Sequence, residues 1–223
     1  MNFNGHHPYQ YILFDLDDTL YPEESGLMAA IGERITRYMV QIVGIPADDA
    51  PLRRRTYYQR YGTSLRGLMV DFNIEPEDFL AFVHNVNPAD FFGPSPPLDF
   101  MLHELPLRKV IFTNADAPHS ERVLNTLQVR AHFEQIFDAH TVNYITKPDP
   151  LAYHKVLAQL GVAGTSCIMV DDKPRNLIPA KDLGMTTILV GNNSGASAAI
   201  DYAVPTIFHV EAVIKNLLPV ERL

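Results

Sequence analysis

Four short apolar runs constrain this chain more than any other feature of its sequence. Tyr11-Ile-Leu-Phe14, Arg108-Lys-Val-Ile-Phe-Thr113, Ser166-Cys-Ile-Met-Val170 and Thr186-Thr-Ile-Leu-Val190 are rich in β-branched and aromatic residues, and each reads as a strand buried on both faces. Helical patterns at about 117–127, 150–160 and 174–183 separate the later runs. Strands that alternate with helices favour a doubly wound parallel α/β sheet covered on both sides, in which ligands gather beyond the carboxyl ends of the strands. The first three runs end in polar residues that could act there: Asp15, Asp17 and Asp18; then Thr113 and Asn114; then Asp171 and Asp172.

The stretch from Ser25 to His84 breaks the alternation. Leu27, Ile31, Ile35 and Met39 form one apolar stripe at helical spacing, and Phe79, Phe82 and Val83 belong to another. Gly44-Ile-Pro46 and Glu75-Pro76 punctuate the segment, and the proline-rich stretch Pro88–Pro97 reads as a linker back to the sheet. A length of 223 residues suits one core domain with a smaller appended module. The expected division is a core of residues 1–20 and 94–223 and a helical module of residues 21–93.

Composition removes several classes of function. Hydrophobic residues make up 47% of the chain against 20% charged, which predicts a folded protein throughout. A formal charge of −8 argues against gripping a nucleic-acid polymer, which calls for clustered Lys and Arg. The run Arg53-Arg-Arg55 reads as a solvated helix face. No apolar run reaches the roughly 18 residues that would span a bilayer, and Met1–Gln10 lacks the layout of a signal peptide, so a cytoplasmic location is expected. Cys167 is the only cysteine, which excludes an internal disulfide and marks a buried strand residue rather than a nucleophile. His6, His7 and His103 have no evident ligand partners.

Asp15-Leu-Asp-Asp-Thr-Leu20 places two carboxylates at i and i+2 where a strand ends, so Asp15 and Asp17 can point the same way. Close carboxylates repel, and a hard divalent cation with oxygen ligands, magnesium above all, would neutralise them. A polar turn or helix cap is the plainer reading of Asp17, Asp18 and Thr19. The second acidic pair, Asp171-Asp172, at a strand end on the same side of the sheet favours the metal site. Phosphoryl transfer would also need a cation and neutral donors, for which Lys147, before Pro148, and Thr113-Asn114 are candidates. For a lone lysine in that place a solvated surface residue is the plainer reading.

Taken together, Asp15-Leu-Asp-Asp-Thr19, Thr113-Asn114, Lys147-Pro148 and Asp171-Asp172 resemble, in order and over nearly the whole chain, the four motifs of the haloacid dehalogenase-like hydrolases. The resemblance implies a Rossmann-like core in which Asp15 is the nucleophile that forms an aspartyl-phosphate and Asp17 the general acid and base. It also implies Mg2+ held by Asp15, the main-chain carbonyl of Asp17 and Asp172, with Asp171 acting directly or through water. Thr113 and Asn114 would hold phosphate oxygens, and Lys147 would offset negative charge. The dehalogenases that name the family lack an acid at the place of Asp17, so its presence favours phosphorus chemistry. Asp18 bears no role in the motif.

An insertion directly after the first motif matches the helical cap of one branch of that family, which closes over the site and selects substrate. Tyr61-Gly-Thr-Ser-Leu-Arg-Gly-Leu68, Phe82-Val-His84 and Tyr21-Pro22 resemble the pyrimidine 5'-nucleotidase group, which implies nucleoside monophosphates such as UMP or CMP as substrate. Tyr61 could stack on a base, Arg66 could reach phosphate or ribose, and Thr63, Ser64 or His84 could bond base edges. Tyr61 and Arg66 are equally compatible with packing and solvation of the helix. A sugar-phosphate phosphatase or phosphomutase would use the same core chemistry, and a non-catalytic module that binds a phosphorylated metabolite is the alternative of another class.

Overall fold

The computed structural model describes residues 8–191 and 197–218; His6 and His7 lie outside them. The sheet contains β1 (Tyr11–Phe14), β2 (Arg108–Phe112), β3 (Gln135–Phe137), β4 (Cys167–Asp171), β5 (Thr186–Val190) and β6 (Tyr202–Val204). Their order is β3-β2-β1-β4-β5-β6, and every neighbouring pair is parallel. The four strands expected from the apolar runs are present. The short edge strands β3 and β6 are additions.

Alternate residues of each strand enter two apolar layers, as the period of two demands. On one face Ile12, Phe14, Ile111, Ile168, Val170 and Ile188 pack under α5 (Pro96–Glu104), α6 (Ala117–Leu127) and α9 (Val210–Leu217). On the other, Leu13, Val110, Phe112, Cys167, Met169 and Leu189 pack under α7 (Pro150–Leu160) and α8 (Pro174–Asp182). This is the doubly wound arrangement. Cys167 is fully buried, and burial pushes its thiol up to about 12, far from the thiolate a nucleophile needs.

Between β1 and β2 the chain forms α1 (Leu27–Gln41), α2 (Ala50–Tyr61), α3 (Ser64–Phe72) and α4 (Pro76–Val83). The first apolar layer continues without a break into these helices through Leu27, Ile31, Met39, Leu68, Phe79 and Val83. The linker expected at Pro88–Pro97 stops short: Pro96 and Pro97 open α5, because proline costs no hydrogen bond in a first helical turn. Leu98, Met101 and Leu102 then bury one face at helical spacing. No helix among the described residues is long and apolar enough to cross a membrane.

Candidate active site

Parallel pairing decides which strand ends meet. Phe14 is level with Ile111 on one side and with Val170 on the other, so Asp15 comes level with Asp171 and lies one step from Thr113. The ladder extends one residue further, since Asp15 N donates to Val170 O at 2.9 Å and Thr113 N to Phe137 O at 2.9 Å. The functional side chains therefore leave the sheet from a hydrogen-bonded backbone.

Lys147 arrives from the loop between β3 and α7, not from the start of a helix; Asp149 and Pro150 begin α7. Its ammonium donates to Asp15 Oδ1 and to Asp171 Oδ2, both at 2.8 Å, from a side chain only 1% exposed. Burial alone would lower the Lys147 ammonium, but the two carboxylates more than reverse that and raise it. Asn114 holds the loop in place: its Oδ1 accepts from Lys147 N at 2.8 Å and its Nδ2 donates to Lys147 O at 2.9 Å. Much of the Asn114 amide is thus spent on the lysine's own main chain. Thr113 Oγ1 accepts from Ala115 N at 3.0 Å.

Asp15, Asp171 and Asp172 each offer a carboxylate oxygen within 4.8 Å of the others, and all three are buried. Burial raises the Asp15 carboxyl to about 6, with Asp172 and Asp17 adding to the rise and Lys147 opposing it. Asp171 is raised in the same way by burial and by Asp15, against Lys147. Both oxygens of Asp171 are occupied by Lys147, by Asn176 Nδ2 at 2.9 and 3.1 Å and by Lys173 N at 2.9 Å. Lys173 pairs with Asp172 at 2.5 Å, and the Thr19 hydroxyl reaches Asp15 Oδ2 at 3.3 Å and Asp172 Oδ1 at 3.4 Å. A hard divalent cation suits this donor set, because crowded, all-oxygen carboxylates lose their mutual repulsion on binding one.

Asp17 faces elsewhere. Its Oδ1 meets His119 Nε2 at 2.8 Å and accepts from Tyr21 OH at 2.5 Å, so its side chain is not one of the three clustered acids. Burial alone would raise the Asp17 carboxyl; His119, Tyr21 and His84 outweigh it and hold the group below its ordinary value. Asp18 adopts a left-handed conformation, φ 58°, and borders the same cavity with Lys173 at 3.7 Å.

The helical insertion closes over these residues. A cavity of about 190 Å3 has Asp15, Asp17, Thr113, Asn114, Lys147 and Asp172 on one wall. Met28, Ile31, Ile35, Phe79, Leu80 and Val83 form the other. A second cavity, of about 450 Å3, shares Met28, Ile35, Tyr58 and Ser64 with the first and has Arg54 and Arg55 on its lining. Contacts between the insertion and the core helices α6 and α8 include Arg175 Nη1 to Tyr58 O at 2.8 Å, Arg122 Nη2 to His84 O at 2.7 Å and His84 Nδ1 with Asp116 Oδ1 at 2.9 Å.

Of the residues expected to meet substrate, Thr63 and His84 line the cavity, as does Ser64; Tyr61 and Arg66 do not. Tyr61 packs beside Tyr57 and under the Arg60 guanidinium. Tyr58, three residues earlier on the same helix, faces the cavity instead. The glycines of that motif are explained by close approach rather than ligand contact. A Cβ on Gly62, whose φ is 90°, would stand 2.4 Å from Lys147 O, and one on Gly67 would stand 2.2 Å from the Tyr57 ring. His119, Asn176 and Lys173 were not singled out by their sequence context. Lys173 and Asn176 follow the acidic pair within one helical turn, and His119 lies in the first turn after Thr113-Asn114, which is the signal that could have found them.

The family model of the haloacid dehalogenase-like hydrolases matches residues 9–184, which includes every one of the strand-end motifs. The chain belongs to this family. Phosphate metabolism protein 8 of Saccharomyces cerevisiae is 25% identical over 191 residues, covering 79% of this chain and 60% of that protein, so the chain spans less than two thirds of that relative. A tyrosine-protein kinase PtkA of Mycobacterium tuberculosis is 26% identical over 214 residues, covering 93% of this chain and 71% of the kinase. Among solved structures, a HAD phosphatase from Thermococcus onnurineus shares the fold with a TM-score of 0.60 at 20% identity, covering 92% of this chain and 97% of that one.

Proposed function

We propose that this hydrolase cleaves phosphate monoesters through an aspartyl-phosphate on Asp15, with Mg2+ as its cofactor and a pyrimidine nucleoside monophosphate such as UMP or CMP as its substrate. The observation that carries the reading is a second carboxylate, Asp17, in the same cavity as Asp15 and Lys147. An ester's leaving oxygen needs a proton when its bond to phosphorus breaks, whereas a departing halide needs none.

Asp15 attacks phosphorus as the bond to the leaving oxygen breaks, and Asp17 delivers a proton to that oxygen. Asp17, now a carboxylate, takes a proton from water as the water oxygen attacks phosphorus, which releases inorganic phosphate and restores Asp15. Lys147 neutralises charge on Asp15 from 2.8 Å, and Thr113 offers its hydroxyl to a phosphate oxygen. Asp15, Asp172 and the main-chain carbonyl of Asp17 would hold the cation, with Asp171 anchored behind them by Lys147 and Asn176. When bound, the cation supplies positive charge to the phosphoryl oxygens. Residues 21–93 serve as the cap that excludes water and selects the substrate.

The cavity wall supports this substrate class. A hydroxyl-rich sugar ring would strand its donors against Met28, Ile31, Ile35 and Phe79. A flat base suits those side chains, with Thr63 and Ser64 at hand for its edges and the adjoining cavity giving it length. The deciding experiment incubates the protein with UMP, CMP and sugar phosphates, in magnesium and in chelator. Turnover in magnesium alone with preference for UMP or CMP is expected. Equal or better turnover of sugar phosphates would defeat the nucleotide assignment, and no turnover of any ester would defeat the phosphatase.

A further inference from the structure

Asp17 accepts two hydrogen bonds on one oxygen and none on the other. Oδ1 receives Tyr21 OH at 2.5 Å and lies 2.8 Å from His119 Nε2. Oδ2 has no hydrogen-bond partner among the described residues, while the side chain as a whole borders the cavity that contains Asp15. Two donors on one oxygen occupy both of its lone pairs and stop the carboxylate from rotating. A proton carried by this group must then sit on Oδ2, and both bonds to Oδ1 persist whether or not it is there.

His119 is itself fixed from three directions. Its side chain is fully buried, and its backbone N–H donates to Asp116 Oδ1 at 3.1 Å at the start of α6. Its ring stacks on that of His84, centroids 4.5 Å apart and planes 22° apart, and His84 is tied to Asp116 at 2.9 Å. The other ring nitrogen, Nδ1, is buried with no partner among the described residues. A proton passed into this ring from Asp17 would have no onward acceptor, which rules against a relay. The bond to Asp17 needs the hydrogen on Nε2, the tautomer that leaves Nδ1 as a bare acceptor, the cheaper of the two groups to bury alone.

We propose that His119 is the positioning residue of the general acid and base: with Tyr21 it pins Oδ1 of Asp17 and so presents Oδ2 to the ester's leaving oxygen. His119 touches neither substrate nor the clustered acids in this scheme and acts only through Asp17. The inference rests on the phosphatase reading above.

The test compares phenyl phosphate with 4-nitrophenyl phosphate, which are nearly alike in shape but differ in how much their leaving oxygens need a proton. Replacing His119 by Leu removes the donor, and His119→Gln restores an N–H at the same reach. In His119→Leu, kcat/KM for phenyl phosphate should fall about 100-fold while that for 4-nitrophenyl phosphate falls less than about 10-fold. His119→Gln should return most of the difference, and Tyr21→Phe should widen the gap between the two esters in the same sense as Leu. An equal fall for both esters, or a Gln variant as impaired as Leu, overturns the proposal. If His119→Leu does not fold by circular dichroism, Tyr21→Phe and His119→Gln decide: an unchanged ratio in Tyr21→Phe, or a shifted ratio in His119→Gln, counts against it. Wild-type protein that hydrolyses neither these esters nor UMP or CMP would instead refute the phosphatase itself, and this proposal with it.

Discussion

Asp15 and Asp17 are two residues apart on one turn, yet their surroundings treat them in contrary ways. Asp15 stands among acids, with Asp171 and Asp172 within 4.8 Å, and burial and crowding raise it to about 6 despite Lys147. Asp17 stands among donors, and although burial pushes it upward, His119 and Tyr21 bring it below its ordinary value. In the proposed mechanism the difference separates two jobs that one carboxylate could not do together. A nucleophile gains from a cation that keeps its charge in check, whereas a group that takes a proton from water gains from donors that hold it as a carboxylate and leave one oxygen free.

The contrast breaks most sharply at the proposed nucleophile. Asp15→Asn should lower kcat on UMP by about 10^4-fold or more, because an amide cannot attack phosphorus; near-normal turnover would end the assignment. Asp17→Asn should cost about 10^3-fold in kcat with little change in KM, since it removes proton transfer while the cavity stays intact. Equal losses in kcat and in binding would place Asp17 in substrate recognition instead.

Lys147→Met leaves Asp15 and Asp171 buried without their shared cation, so denaturant unfolding at pH 7 without metal should show a loss of about 3 kcal/mol. The loss should shrink toward acid pH, where both carboxyls take up protons and no longer need a partner. Magnesium at 100 times its dissociation constant should stabilise the protein by about 2.7 kcal/mol. Asp172→Ala should abolish that gain and Asp17→Ala should keep it, because Asp17 would offer only its main-chain oxygen. A gain lost equally in both variants would merge the two environments into one.

The smallest effect lies at the edge of the Asp17 side. Burial holds the His84 imidazole below its ordinary range, with His119 adding to the fall and Asp116 opposing it. The unfolded chain therefore binds this proton more readily than the folded one, and stability should decline as pH drops below about 6.5. His84→Gln should flatten that decline by less than about 1 kcal/mol, readable as melting temperature against pH. A variant with an unaltered slope would show that His84 is not the group responsible.

What could be read from residue order alone is strongest where pattern and backbone agree. Residues 117–127 and 150–160 carry helical periodicity between turn signals, and α6 and α7 occupy those same spans. β3 and β6 escaped because three-residue edge strands have too short a pattern to stand out, and α5 because its opening prolines look like a linker until Leu98, Met101 and Leu102 are seen to be buried. The same limit explains Tyr58 and Tyr61. Both belong to α2, and helical spacing cannot say which face meets a cavity formed by residues far along the chain.

The sequence by itself determined the alternation of strands and helices, the parallel sheet that follows from it, and the polar residues at each strand end, because these depend on local periodicity and on burial along single segments. Tertiary structure alone decided that Asn114 clamps the Lys147 loop, that Gly62 approaches the Lys147 carbonyl, and that distant His119 joins Tyr21 in holding Asp17. Such pairings join residues some 30 to 100 positions apart, and only the packing of the insertion and the helices against the sheet brings them together.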